Sequence, residues 1–229
     1  MSLNDLAVKY KTDKQIGGHG YVIVYESLFG GFREDTFNFL EIGICRGASH
    51  KMWREWFPNA TIYGVDNNPK TIDRFKNEER MVIDYLHQGH TDQLIEYTKK
   101  GPWRIIIDDG SHIASHQKQT FETLWAQVEP GGYYIIEDTH TSYTTYALKK
   151  SARTPEGGNK WIDSDETLMD RMLKITDEVC STPYNAKAIR NYFVQGNTEN
   201  LTSYQREIES IEFRVGMVII KKRGGVNSR

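Results

Sequence analysis

This chain has few cysteines, no long apolar runs and no excess of positive charge. Its 229 residues include only two cysteines, Cys45 and Cys180, which cannot form a disulfide framework. No apolar run approaches the roughly 18 to 20 residues of a membrane-spanning helix, and residues 1–14 lack the apolar core of a signal peptide. Lysine and arginine number 29 against 31 aspartates and glutamates, a net charge of −2. These features predict a reduced, cytoplasmic protein that binds neither nucleic acid nor membranes.

The apolar residues predict a single α/β domain over residues 1–229, because the chain is long enough for one substantial core and short for two. Five apolar runs alternate with helix-length segments, which is the pattern of a parallel sheet. The runs are 37–42, 61–65, 81–86, 103–107 and 133–136. The last two are almost continuously apolar, as expected of central strands that helices cover on both faces.

Helical spacing fills several of the intervals between these runs. We predict helices over 48–57, over 69–76, and after Ser111 as far as the stop at 130–132. Asp163 and Glu166 are spaced like a capping box for a further helix. The apolar face of that helix is Leu168, Met172, Ile175 and Val179.

The C-terminal runs 207–213 and 217–222 predict an antiparallel hairpin at the sheet edge. With it, the predicted fold is a Rossmann-like, doubly wound, mostly parallel seven-stranded sheet with a C-terminal antiparallel hairpin. Residues 139–162 lack periodicity, and such a long stretch inside a compact domain is typical of a lid-like loop.

The first strand ends in a turn with an acid and two glycines, Glu41, Gly43 and Gly47. Glycines here let the backbone approach a ligand closely. The spacing differs from the G-x-G-x-x-G of dinucleotide binders and lacks the lysine of a phosphate loop. Asp66, at the end of the second strand, could accept hydrogen bonds from an adenosine ribose, which suits both NAD and S-adenosylmethionine, or could cap the next helix.

The third strand ends in polar residues, 88–92, whose side chains could face an adenine. Thr91 or Asp92 could equally cap the helix that follows. Both interpretations are open on the sequence alone.

The fourth strand runs directly into Asp108, Asp109, Gly110, Ser111 and His112. Adjacent side chains of a strand point to opposite faces, so one acid is expected to enter a site and the other to support the turn. The fifth strand ends similarly, at Asp138. Asp109 and Asp138 are therefore predicted to share a hard divalent cation, for which Mg²⁺ fits.

Other interpretations remain open for the neighbours of these acids. Ser111 could simply cap a helix, and His116 could be a surface residue. A zinc site from His112 and His116 has suitable spacing, but the surrounding carboxylates disfavour it.

Together these segments resemble a known family, the class I S-adenosylmethionine-dependent O-methyltransferases. The resemblance is to the metal-dependent sugar O-methyltransferases of macrolide and related antibiotic biosynthesis, of the mycinamicin and tylosin type. It spans most of the chain. The segments that carry it are TDK at 12–14, LEIGICRGAS at 40–49, YGVD at 63–66, IIIDDGSH at 105–112 and PGGYYIIED at 130–138.

The resemblance implies a role for each matching residue. His112 is the expected general base, and Asp109 and Asp138, with Glu26, are the expected metal ligands. Residues 1–35 would form an N-terminal segment that closes over the cofactor. The residues expected to bind S-adenosylmethionine are Asp13, Lys14, Glu41, Gly43, Gly47, Ser49, Asp66, Asn67, Asp92 and Asp108.

The resemblance further implies a small-molecule or glycan hydroxyl as acceptor and assembly as a homo-oligomer. Two features depart from the family: His90 stands where many relatives carry an acid, and the 139–162 loop matches no particular relative. The alternatives are an NAD-dependent oxidoreductase, a non-catalytic methyltransferase-like binding module, or a metal-dependent hydroxylase-like relative on the same scaffold.

Overall fold

The computed structural model describes residues 1–143, 159–181 and 201–225. Its strands form a mixed, mostly parallel seven-stranded sheet flanked by helices. The predicted fold class is confirmed. The chain divides into two compact units, Met1–Ser111 and His112–Arg229. The assignment of residues 1–229 to a single domain stays a prediction.

The first unit contains four parallel strands. They are β1 (Asn38–Ile42), β2 (Thr61–Asp66), β3 (Met81–Tyr85) and β4 (Trp103–Asp108). Strand β1 pairs with both β2 and β4, and β2 pairs with β3. This register places Glu41 beside Gly64 and Ile42 beside Asp108, so the polar turns that follow these strands lie at one edge of the sheet.

Five helices accompany these strands. They are α1 (Leu3–Tyr10), α2 (Tyr21–Phe29), α3 (Ala48–Trp56), α4 (Pro69–Phe75) and α5 (Thr91–Tyr97). Helix α3 buries Met52, Trp53 and Trp56, and Trp53 packs edge-on against Tyr25 of α2. Burial of apolar surface stabilises the fold by roughly 25 cal/mol per Å². The buried aromatic side chains of α3 therefore hold this helix, and with it the turn that precedes it, against the rest of the unit.

The second unit contains α6 (Ala114–Leu124), β5 (Val128–Glu137), α7 (Leu168–Cys180) and α8 (Ser203–Glu207), followed by the antiparallel strands β6 (Ile208–Arg214) and β7 (Met217–Lys222). The predicted C-terminal hairpin is confirmed, and β7 also pairs antiparallel with β5. Within the described residues, no helix is long and apolar enough to cross a membrane.

Two local predictions in this unit are wrong. Residues 128–132 begin β5 rather than ending the preceding helix, since the Gly131 amide donates to the Arg223 carbonyl. The capping box of α7 is Thr167 with Asp170, not Asp163 with Glu166, because Asp163 instead accepts the Ser115 amide at 3.0 Å. The apolar face of α7 is confirmed at Leu168, Met172 and Ile175, which are buried, whereas Val179 is half-buried.

The central part of the predicted 139–162 loop, residues 144–158, lies outside the described residues. The first residues of the predicted loop, Thr139–Ser142, form a short 3₁₀ turn. Asn159, which is buried, donates from its side-chain amide to the carbonyls of Thr141 at 2.9 Å and Tyr143 at 3.2 Å. The two described ends of the loop are therefore joined by hydrogen bonds.

Candidate active site

The glycine turn after β1 packs directly on the backbone that follows β4. Gly43 has φ of +94°, and a Cβ placed on it would lie 2.1 Å from the carbonyl oxygen of Asp109. The Gly43 amide donates to the Val65 carbonyl at 2.8 Å. Only glycine satisfies both the left-handed backbone and this approach, so the turn and the Asp109 main chain form one closely packed element.

Asp66 holds the glycine turn from the end of β2. Its Oδ2 accepts the amides of Ile44 and Cys45, each at 3.0 Å, and its Oδ1 accepts the amide of Asn68 at 2.8 Å. Asn68, rather than Asp66, is the N-cap of α4. The helix-capping alternative for Asp66 is therefore wrong, and contact of Asp66 with a ribose stays a prediction.

Glu41 is completely buried within a polar cluster of the first unit. Its Oε2 accepts the Ser49 hydroxyl at 2.8 Å and lies 3.0 Å from His50 Nδ1, and its Oε1 lies 3.6 Å from Lys14 Nζ. Burial acts to raise the pKa of Glu41. The charges of His50 and Lys14, with hydrogen bonds from His50 and Ser49, outweigh it and hold that pKa below its ordinary value. Glu41 is therefore a buried carboxylate whose described contacts orient Ser49, His50 and Lys14.

The two acids after β4 have different environments. Asp108 is fully buried, and its Oδ1 accepts the side-chain amide of Gln88 at 2.8 Å and the Gly110 amide at 3.3 Å. Asp109 keeps 24% of its side chain exposed, and its Oδ2 lies 2.5 Å from Lys14 Nζ. One acid thus supports the turn while the other is accessible, as the alternation of side chains predicts.

The polar segment after β3 serves this same turn. The side-chain oxygen of Gln88, which is buried, accepts the Ser111 amide at 2.7 Å. Asp92 is exposed in the first turn of α5, whose N-cap is His90. Capping of α5 by Thr91 or Asp92 is wrong, and so is capping of α6 by Ser111, because the N-cap of α6 is Ile113.

His112 and Asp138 form the polar centre of the second unit. His112 Nε2 lies 3.6 Å from Asp138 Oδ2, and His140 Nδ1 lies 3.9 Å from Asp138 Oδ1. Both His112 and Asp138 have left-handed backbones, with φ of 58° and 56°. The Thr141 hydroxyl donates to the Asp138 carbonyl at 2.9 Å, which helps to hold this conformation. Non-glycine residues with such backbones cluster at functional sites.

The remaining predicted site residues are exposed or half-buried, apart from Gly47, which is buried. Glu26 is half-buried on α2, and among the described residues it belongs to no group of three potential metal-ligating side chains. Asp13 is exposed, and its carbonyl accepts the His19 amide at 2.7 Å. Asn67 is exposed directly after β2, and Gly47 is the N-cap of α3 with φ of 72°.

The donor set of each unit fits the groups that the resemblance implies. The first unit supplies a glycine turn where a side chain would fill the space, and the exposed carboxylate of Asp109. The second unit supplies the carboxylate of Asp138 beside an imidazole. Carboxylate oxygens suit a hard divalent ion. Asp109 and Asp138 belong to different units, so their sharing of one ion stays a prediction.

Sequence reasoning missed His50, Gly64 and the supporting role of Gln88. A Cβ on Gly64 would lie 2.5 Å from His50 Nε2, so this strand glycine makes room for the buried imidazole. A glycine inside a strand often marks such an approach, and this was the available signal.

Comparison with known proteins places this geometry in a family context. Residues 40–139 match a family model described as a methyltransferase domain. The chain is 29% identical over 228 residues to the 8-demethyl-8-alpha-L-rhamnosyl tetracenomycin-C 2'-O-methyltransferase of Streptomyces olivaceus, covering 96% of this chain and 54% of that protein. It is 34% identical over 149 residues to the mycinamicin VI 2''-O-methyltransferase of Micromonospora griseorubida, covering 62% of this chain and 37% of that protein.

A solved structure agrees with these relatives. The MycE methyltransferase from the mycinamycin biosynthetic pathway, in complex with Mg and SAH, matches with a TM-score of 0.73 and 25% identity, covering 100% of this chain and 56% of that chain. The chain spans about half the length of the curated relatives that match nearly all of it. The predicted resemblance is confirmed: residues 40–139 match the methyltransferase-domain model, and the chain is similar to sugar O-methyltransferases of the mycinamicin type.

Proposed function

We propose that this protein is an S-adenosylmethionine-dependent O-methyltransferase that uses a divalent cation, Mg²⁺, and methylates a hydroxyl of a sugar or another polyol. The observation that carries the proposal is the packing of Gly43 on the carbonyl of Asp109. The predicted donor turn and a predicted cation ligand are thereby parts of one rigid element. Methyl transfer requires such an arrangement, because the acceptor oxygen must be held in line with the methyl group.

The first unit would bind the methyl donor. Gly43 and Gly47 would allow close approach of the ligand to the backbone, and Asp66 would accept the ribose hydroxyls with oxygens that already order the turn. Glu41 and Ser49 would act through the buried cluster, and Asp108 would act by supporting the turn. The other residues proposed to contact the donor are Asp13, Lys14, Asn67 and Asp92.

The acceptor hydroxyl must lose a proton, and a sugar hydroxyl ionises far above neutral pH. Bound by Asp109, Asp138 and Glu26, a divalent ion would supply Lewis acidity for the developing alkoxide. His112 would take the proton, a role that contributes typically about 10² to 10⁴ in rate. The Asp138 carboxylate, 3.6 Å from His112 Nε2, would stabilise the imidazolium that results.

Binding separates this proposal from the NAD-dependent oxidoreductase. Purified protein is heated with S-adenosylhomocysteine or with NAD, and thermal unfolding is followed. We expect stabilisation by S-adenosylhomocysteine only, because binding to the folded state raises the unfolding temperature. Stabilisation by NAD alone would instead support the oxidoreductase.

Activity is the second arm of the test. Methyl transfer from S-adenosylmethionine is measured on a panel of glycosylated compounds and polyols, with Mg²⁺ or with EDTA. We expect transfer with Mg²⁺ and almost none with EDTA. Full activity in EDTA would contradict the metal, and donor binding without transfer to any acceptor would support the binding module. The cytoplasmic location, the absence of nucleic acid and membrane partners and the homo-oligomeric state stay predictions.

A further inference from the structure

Lys14 is a buried cation at the accessible acid of the first unit. Its side chain is 1% exposed, and Nζ lies 2.5 Å from Asp109 Oδ2 and 3.6 Å from Glu41 Oε1. A buried ammonium requires nearby negative charge to offset the loss of hydration. The Lys14 side chain is thus buried along its length, and its ammonium group contacts the carboxylate of Asp109.

His50 shares the same buried acid from the opposite side. Its Nδ1 lies 3.0 Å from Glu41 Oε2, in the space that Gly64 leaves open. His50 and Ser49 both contact Oε2 of Glu41, whereas Lys14 faces Oε1 at the longer distance of 3.6 Å. The shorter contact of Lys14 is with Asp109.

We propose that Lys14 is a built-in counter-ion of Asp109 that competes with a divalent cation for this carboxylate, and that His50, acting through Glu41, is the positioning residue that keeps Lys14 there. The inference rests on the proposed function, because it assumes that Asp109 is a cation ligand. It predicts a site that binds its cation more weakly than its carboxylates alone would allow.

The size of this effect follows from Coulomb's law. Even at the dielectric constant of water, removing a unit positive charge a few ångströms from a divalent ion strengthens binding by about tenfold. Loss of packing around Lys14 would have the opposite result, because a disordered carboxylate binds a cation less tightly. The sign of the change therefore distinguishes competition from a merely structural role.

The test is a calorimetric titration of the full chain with Mn²⁺ alone, which measures the dissociation constant of Mn²⁺. Lys14→Met is compared with the wild type and with Lys70→Met, which removes the same charge from an exposed position on α4. We expect about tenfold tighter Mn²⁺ binding in Lys14→Met and no change in Lys70→Met. Unchanged or weaker binding in Lys14→Met would overturn the competition. Lys14→Gln, with the same expectation, replaces Lys14→Met where the latter does not fold.

Two further variants separate the parts of the inference. Asp109→Asn should lose most Mn²⁺ affinity, and retention of wild-type affinity would contradict the proposed function itself rather than the role of Lys14. His50→Leu should tighten Mn²⁺ binding by less than Lys14→Met, since Glu41 then draws Lys14 away from Asp109. His50→Asn keeps a donor near the position of Nδ1 and should bind like the wild type. Unchanged or weaker binding in His50→Leu would remove His50 from the positioning role.

Discussion

The glycine turn of the first unit and the His112–Asp138 centre of the second solve different problems. Around the turn, Glu41 and Asp108 are fully buried, and each accepts a hydrogen bond from a side chain of the same unit. His112 and Asp138 are partly exposed, and both have left-handed backbones. The contrast indicates that the first region is built to keep a fixed shape, whereas the second keeps a base and an acid accessible for chemistry.

The largest effect should come from the accessible region. His112→Ala removes the proposed base, and we expect methyl-transfer turnover to fall by about 10² to 10⁴ while donor affinity stays nearly intact. Steady-state kinetics and calorimetry with S-adenosylhomocysteine measure the two quantities. His116→Ala, in the same segment, is the control and should keep its activity. If His112→Ala lost donor binding, His112 would not act only as the base, and the two regions would not differ in function as proposed.

An intermediate effect should come from the rigid turn. Gly43→Ala would strain the backbone and overlap the Asp109 carbonyl. We expect the unfolding free energy to fall by about 2 to 5 kcal/mol and donor binding to be lost. Gly131→Ala is the matched control, because Gly131 also has a positive φ, of 79°, but open space around it. It should lose only about 1 to 2 kcal/mol. Equal losses in the two variants would show that strain alone, without the close approach, determines the effect.

The smallest effect should be the acid dependence of the buried cluster. Because the folded-state pKa of Glu41 lies below its ordinary value of 4.5, its carboxylate stabilises the fold above that pH, and this contribution is lost as the pH falls through the folded-state pKa. Glu41→Gln should therefore lower the unfolding free energy by about 1 to 3 kcal/mol at neutral pH, and the gap should narrow on acidification. Urea unfolding at several pH values measures it. A gap that is independent of pH would mean that packing, rather than charge, makes Glu41 important.

Local patterns carried most of the fold. The apolar runs located six of the seven strands to within about two residues, since strand periodicity is written in neighbouring residues. The start of β5 was misjudged because Val128 fits both a helical face and a strand, and only the pairing of Gly131 with Arg223 decides between them. The capping box of α7 was misplaced because Asp163 is engaged by Ser115, which lies 48 residues earlier in the chain.

The sequence by itself determined the succession of strands along the chain, the glycine turn and the acids that end the strands, because these depend on residues close together in the chain. Only the tertiary structure decided how those acids are used. In the tertiary structure Asp108 accepts a hydrogen bond from Gln88, and Asp109 contacts the ammonium group of Lys14, which lies 95 residues earlier in the chain. His50 is buried against Glu41 in the space left by Gly64. The physical reason is that the state of a carboxylate depends on burial and on the charges that surround it, and both are supplied by residues far apart in the sequence.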